Sequence, residues 1–158
     1  MSSLKEPSES NRFHADHVSI LRTSLAKLAG KDLVPPELND LDAARFLFDA
    51  PFAVVSHNAD TDPLFNYANK KAMQLFEMDW RAITSLPSRL SAEEVNRDER
   101  ARLLKRVSDH GYIDNYSGVR ISKSGRRFEI SGATVWNLIG VDGEPAGQAA
   151  MFDDWKFV

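Results

Sequence analysis

Residues 62–80 read DPLFNYANKKAMQLFEMDW, and the fold turns on whether this is one broken strand or a strand running into a helix. The segment PLFNYA has the aromatic character of a short β-strand. Asn69 is a natural helix N-cap, because its side-chain oxygen can accept a free backbone N–H of the first turn. The spacing therefore predicts a strand that ends at Ala68 and a short helix from Lys70 to about Glu77. Asp79 can cap another helix that begins at Trp80. Met73, Leu75, Phe76 and Trp80 then supply apolar surface for the helical side of a core.

Working upstream, FAVVSHN (52–58) is a second β-type run, separated from the first by the turn-rich ADTD (59–62), so the two read as a strand pair. Before Phe52 the pattern is helical. Phe13, Val18, Leu21, Leu25 and Leu28 recur at helical spacing over Arg12 to Ala29, and Gly30 can end that helix. VPPEL (34–38) breaks the chain, and a second helix runs from an Asn39 cap to Ala50, stopped by Pro51. The expected organisation is a disordered tail over 1–11, a helical extension over 12–45 and a folded domain over 46–158.

Downstream, Ser91 and Glu94 form an S-x-x-E capping box that opens a long helix to His110, ended by Gly111. Three strand candidates follow: YIDNYSGVRIS, RRFEISGATVWNLI and PAGQAAMFDDW. Seven of the eight glycines lie at or after Gly111, so this third of the molecule reads as a meander. Two strands, inserted helices, one longer helix and three antiparallel strands make an α+β fold built on a five-stranded antiparallel sheet. In the fourth strand Phe128, Ile130, Trp136 and Leu138 share one parity while Val135 and Ile139 take the other. Both faces of the sheet therefore need cover, from the two N-terminal helices or from a second subunit.

At 158 residues the chain can bury roughly two thirds of its unfolded surface as one domain. Its 42% hydrophobic and 27% charged residues are ordinary for a globular protein. The absence of cysteine excludes disulfides, thiolate zinc sites, cysteine nucleophiles and cysteine-adduct photochemistry. A net charge of −3 argues against general binding to nucleic acid. With no long apolar run and no hydrophobic leader at MSSLKEPSESNRF, the expected compartment is the cytoplasm, without membrane contact.

At residue level, APFAVVSHNADTDPLFNYANKKAMQLFEMDW, LPSRLSAEEVNRDERARLL, GYIDNYSGVRISKSGRRFEI, VWNL and GQAAMF, in that order, resemble the MEKHLA family, over about Phe46 to Trp155. The resemblance implies a PAS-like fold and a sensory or protein-interaction module. It brings no established ligand, cofactor or reaction. The family includes the C-terminal domain of plant homeodomain leucine-zipper regulators. These 158 residues hold no homeodomain or zipper, so their DNA-binding role is not expected here.

The long helix carries the most informative chemistry. Advancing about 100° per residue places Asn96 and Arg100 in the same apolar stripe as Leu104 and Val107, opposite Glu94, Asp98 and Lys105. A buried guanidinium must meet a carboxylate, several carbonyls or a ligand. Internal pairing and a ligand are both open at this point. Arg89, before the helix start, is a candidate for an anion or for a loop contact. In the third strand Ile113, Val119 and Ile121 share one parity, which assigns Asn115 to the cavity and places Tyr116 and Arg120 on the outer face, as cross-strand contacts or a partner surface. Trp80 and Trp136 are candidate pocket walls, with ordinary core packing as the other reading. The candidate cavity set is thus Asn96, Arg100, Arg89, Asn115, Trp80 and Trp136.

Asn58, Asp60 and Asp62 read as turn residues rather than metal ligands. No nucleophile, base and acid constellation or P-loop stands out, so a non-enzymatic protein is expected. The leading expectation is a sensory domain with a small molecule between sheet and long helix. The alternative is a homodimerisation module whose interface is drawn from Leu21, Leu25, Leu28, Tyr116 and Arg120.

Overall fold

The computed structural model describes residues 4–158. Among the described residues five α-helices form, in chain order α1 (Ala15–Ala29), α2 (Asp40–Asp49), α3 (Lys70–Phe76), α4 (Trp80–Ile83) and α5 (Glu94–His110). The strands are β1 (Ala53–His57), β2 (Phe65–Ala68), β3 (Tyr112–Ile121), β4 (Arg127–Ile139), β5 (Pro145–Phe152) and β6 (Asp154–Phe157). They form one antiparallel sheet in the order β2-β1-β5-β4-β3, and β6 pairs with the first part of β4. The expected fifth strand is therefore two, divided at Asp153.

The turn residues of 62–80 act as the residue types dictate. The Asn69 side chain accepts from Ala72 N at 3.1 Å and caps α3, and Asp79 accepts from Ala82 N at 2.8 Å and caps α4. Asn69 does more than cap. It is fully buried, its Oδ1 also accepts from Val54 N, and its Nδ2 donates to Leu47 O and Phe52 O. One amide thus ties together backbone groups of α2, β1 and α3 in the interior. The polar interruption is the joint of the fold.

Two N-terminal expectations change. Glu9–His14 forms a 3-10 segment in which Ser8 N donates to Asn11 Oδ1, so order in the described residues begins before residue 12. Residues 1–3 of the expected tail lie outside the described residues. α5 starts at Glu94 with no side-chain cap, because Ser91 closes a preceding 3-10 turn and donates its Oγ to Ser88 O at 2.7 Å. The capping box does not form.

Both sheet faces are covered by this chain. On the outer face α1 and α2 lay Val18, Leu21, Leu25 and Leu47 against Val54, Tyr67, Trp136 and Leu138. On the inner face α3 and α5 meet Phe65, Phe128, Ile130, Val135 and Phe152. Membership of each face does not follow simple alternation, because β3 and β4 carry opposed bulges. Ile113 pairs with Val135 and Tyr116 with Ala133, which leaves an extra residue in β3; Gly118 then pairs with Ile130, which leaves one in β4. Asn115 (φ 58°) and Gly132 (φ 64°) supply the left-handed backbone at the two bulges. Each bulge reverses which parity faces inward. No helix among the described residues is long and apolar enough to cross a membrane.

Candidate functional site

The inner face does not close completely over the sheet. A cavity of about 60 Å³ remains, floored by Phe65, Ile130, Val135 and Phe152 and roofed by Phe76 and Leu103. Its polar residues include Arg100 from α5, Tyr116 and Arg120 from β3, His57 from β1 and Gln148 from β5.

Arg100 is only 9% exposed, and its side chain has no hydrogen bond or ion pair with any described residue. Burial, together with the positive charge of Arg120, lowers its guanidinium to about 10, a shift the Tyr116 hydroxyl opposes. Arg120 is 8% exposed, donates to Val119 O at 2.8 Å and to Tyr116 Oη at 3.2 Å, and stands over the Tyr116 ring. The Tyr116 hydroxyl in turn donates to Glu99 Oε2 at 2.9 Å. Charge on Arg120 is thus relayed to a half-buried carboxylate, and charge on Arg100 is not. Gly118 makes the arrangement possible: a Cβ there would stand 2.2 Å from the Tyr116 hydroxyl.

His57 ends β1. Its Nδ1 contacts Asn58 O at 2.9 Å, and since a carbonyl oxygen only accepts, Nδ1 carries the proton. Nε2 is then a bare acceptor, buried and without a partner. Burial lowers the pKa of this imidazole and Arg100 adds to the effect, against the neighbouring Asn58 carbonyl and Gln148 side chain, which favour the charged ring. Gln148 donates to Leu104 O and to Asn137 Oδ1, each at 3.1 Å, and so ties β4 and β5 to α5. His57 and Gln148 also line a second, outer cleft of about 410 Å³ beside Asn58, Ser108 and Asn137.

The structure sorts the residues expected from the sequence. Arg100 faces the cavity as its helical phase requires, without the internal carboxylate that was the other open reading. Asn96 is half-buried and outside the lining. Arg89 is exposed and pairs with Asp62 at 3.1 Å. Asn115 is exposed, because it is the bulged residue of β3. That same bulge turns Tyr116 and Arg120 inward, away from the outer surface on which they were expected. Trp80 and Trp136 lie on the opposite face of the sheet; Trp136 Nε1 donates to Leu21 O at 3.2 Å, while Trp80 Nε1 and Tyr67 Oη have no partner. Leu21 and Leu25 are 0% and 1% exposed beneath α1, and Leu28 packs on the same cluster, so this stripe covers the chain's own sheet rather than a second copy.

Sequence reasoning missed His57, Gln148 and Glu99. His57 has the parity of the core residue Val55, the one signal that could have found it. Gln148 reads as a solvated strand residue and gave none.

The MEKHLA domain family matches residues 15–157, which takes in α1 and so extends well before Phe46, where the folded domain was expected to begin. Homeobox-leucine zipper protein HOX9 of Oryza sativa is 25% identical over 114 residues, 72% of this chain and 14% of that protein. HOX32 of the same species is 21% identical over 130 residues, 82% of this chain and 15% of that protein. The chain therefore spans about a seventh of the curated relatives it matches. Among solved structures, the PAS domain of a protein from Colwellia psychrerythraea superposes with a TM-score of 0.61 at 12% identity, over 74% of this chain and 94% of that one. A fungal LOV-domain photoreceptor gives 0.61 at 16%, over 90% and 91%. The light-state dimer of the fungal blue-light photoreceptor Vivid gives 0.59 at 13%, over 86% and 92%. These likenesses establish a PAS-like fold.

Proposed function

The chain belongs to the MEKHLA domain family and has a PAS-like fold, and from that premise we propose that it is a sensory or regulatory module that binds a small molecule between its sheet and α5. The observation that carries this reading is Arg100, a buried guanidinium that faces a cavity with no partner. Leaving a charge in such a place costs several kcal/mol, roughly, unless something meets it. Occupancy would reach the surface through α5, to which Gln148 and Asn137 connect the sheet. No catalytic step and no DNA contact are part of the proposal.

Native mass spectrometry with a thermal-shift screen of cellular metabolites tests it. The expected result is a bound mass and a raised unfolding temperature for one chemical class. A protein that stays bare and unshifted with every compound would overturn it.

Homodimerisation is the second reading, supported by the dimer named for Vivid, whose fold is similar. Its interface must lie outside the Leu21 and Leu25 stripe. Light scattering that returns the monomer mass of 17.7 kDa across concentrations would remove it.

A further inference from the structure

Resting on the reading that the inner cavity binds a small molecule, we propose that its ligand is a short-chain monocarboxylate held by Arg100 and Arg120, with its hydrocarbon part on the apolar floor. Three observations converge on that class.

The first is charge. Two buried guanidiniums line one cavity, and the single carboxylate in reach, Glu99, is engaged only through the Tyr116 hydroxyl with Arg120. One negative charge balances what remains, and a planar carboxylate matches the donor fork of a guanidinium through two parallel hydrogen bonds. A divalent anion would overshoot the balance in a site with little water to screen it.

The second is size. A water-sized group needs about 10–15 Å³ of such volume. The cavity of about 60 Å³ therefore holds four to six non-hydrogen atoms, on the order of acetate, propionate or butyrate.

The third is polarity. Phe65, Ile130, Val135 and Phe152 give an alkyl chain a dry floor, which inorganic anions cannot use. The Nε2 of His57, which makes no hydrogen bond, marks a second polar point on the same wall, where a water accompanying the carboxylate finds an acceptor.

The test is a titration of 15N-labelled protein with acetate, propionate and butyrate at fixed ionic strength, beside propionamide, chloride, sulfate and pressurised xenon. Propionate is expected to produce saturable shifts at amides around Leu103, Tyr116 and Phe65 that propionamide does not produce. Arg100→Met is expected to keep the folded spectrum and to weaken propionate at least about 10-fold, since a hydrogen bond to a charged group is lost. Arg100→Lys retains the charge without the fork and serves where the methionine variant fails to fold; it is expected to weaken binding less than 10-fold. Equal shifts from propionamide, chloride or sulfate would overturn the carboxylate assignment. Binding of xenon or propionamide with none by any carboxylate would overturn it while leaving the cavity reading intact. No response to any probe would sink both.

Discussion

The same sheet is covered twice, and the two covers do different work. On the outer face, large side chains of α1 and α2 meet large side chains of the sheet, and polar groups there are neutral: Trp136 Nε1 reaches Leu21 O, and Ser24 Oγ accepts from Ile139 N at 2.9 Å. On the inner face the apolar floor runs into Arg100, Arg120 and His57 around unfilled space. Apolar burial contributes roughly 25 cal/mol per Å², so the outer cover supplies stability without specificity. The inner cover gives up part of that contribution to hold charge in place. On the function proposed here, stability and recognition fall on opposite sides of one β-layer.

The sharpest way to break this contrast is to remove the anchor of the outer face. Trp136→Ala deletes a fully buried indole and is expected to lower stability by about 3–5 kcal/mol in denaturant titration. A loss below about 1 kcal/mol would mean that the outer cover is not structural.

Acid comes next. His17 lies on α1, its Nε2 donates to Ser56 Oγ at 2.9 Å, and Ser56 Oγ in turn donates to Asn66 Oδ1 at 2.6 Å. Burial and the nearby His14 lower His17 to about 4. Because the folded state resists a proton that the unfolded chain takes up near 6.5, the stabilising term is complete above pH 6.5 and is lost as pH falls toward 4. The loss should be about 1–3 kcal/mol, and His17→Gln should flatten that part of the curve although His57, also lowered by burial, contributes in the same direction. An unchanged slope in the variant would place the acid sensitivity on the inner face.

Asn115→Val tests the bulge that builds the inner face. A β-branched residue at φ 58° is strained, so stability should fall by about 1–2 kcal/mol, whereas Asn115→Gly should be neutral or better. Loss of ligand response with retained fold would show that the bulge positions Tyr116 and Arg120. The smallest effect is expected at Arg89→Ala, where an exposed ion pair with Asp62 is worth less than about 0.5 kcal/mol by chemical denaturation.

What could be read in advance follows from the range of the physics involved. Caps are local, so Asn39, Asn69 and Asp79 were legible as helix starts, and each accepts the backbone N–H its position implies. Helical phase is also local, which is why Arg100 could be placed facing the core. Strand parity is local only until a bulge intervenes. Tyr116, Arg120 and Asn115 fall on faces other than those parity assigns, because the one hint of a left-handed residue in YIDNYSGVRIS is the asparagine itself, which tolerates that backbone but does not require it. The tryptophans were misplaced for a different reason. Both faces of the sheet carry apolar residues, and sequence alone cannot say which side a large ring occupies. Leu21 and Leu25 presented an apolar stripe whose partner could have been this chain or another. Only tertiary packing decides between them.

The opposed bulges of β3 and β4 also constrain how this chain can change length over time. Removing Asn115 alone would rotate Tyr116 through Ile121 by half a turn and send Arg120 to solvent. A second deletion at Gly132 would bring the two strands back into step beyond that point. Phe128 and Ile130 would then turn outward together with Arg120, so the paired deletion restores register without restoring the inner face, and the lengths of the two strands are constrained together.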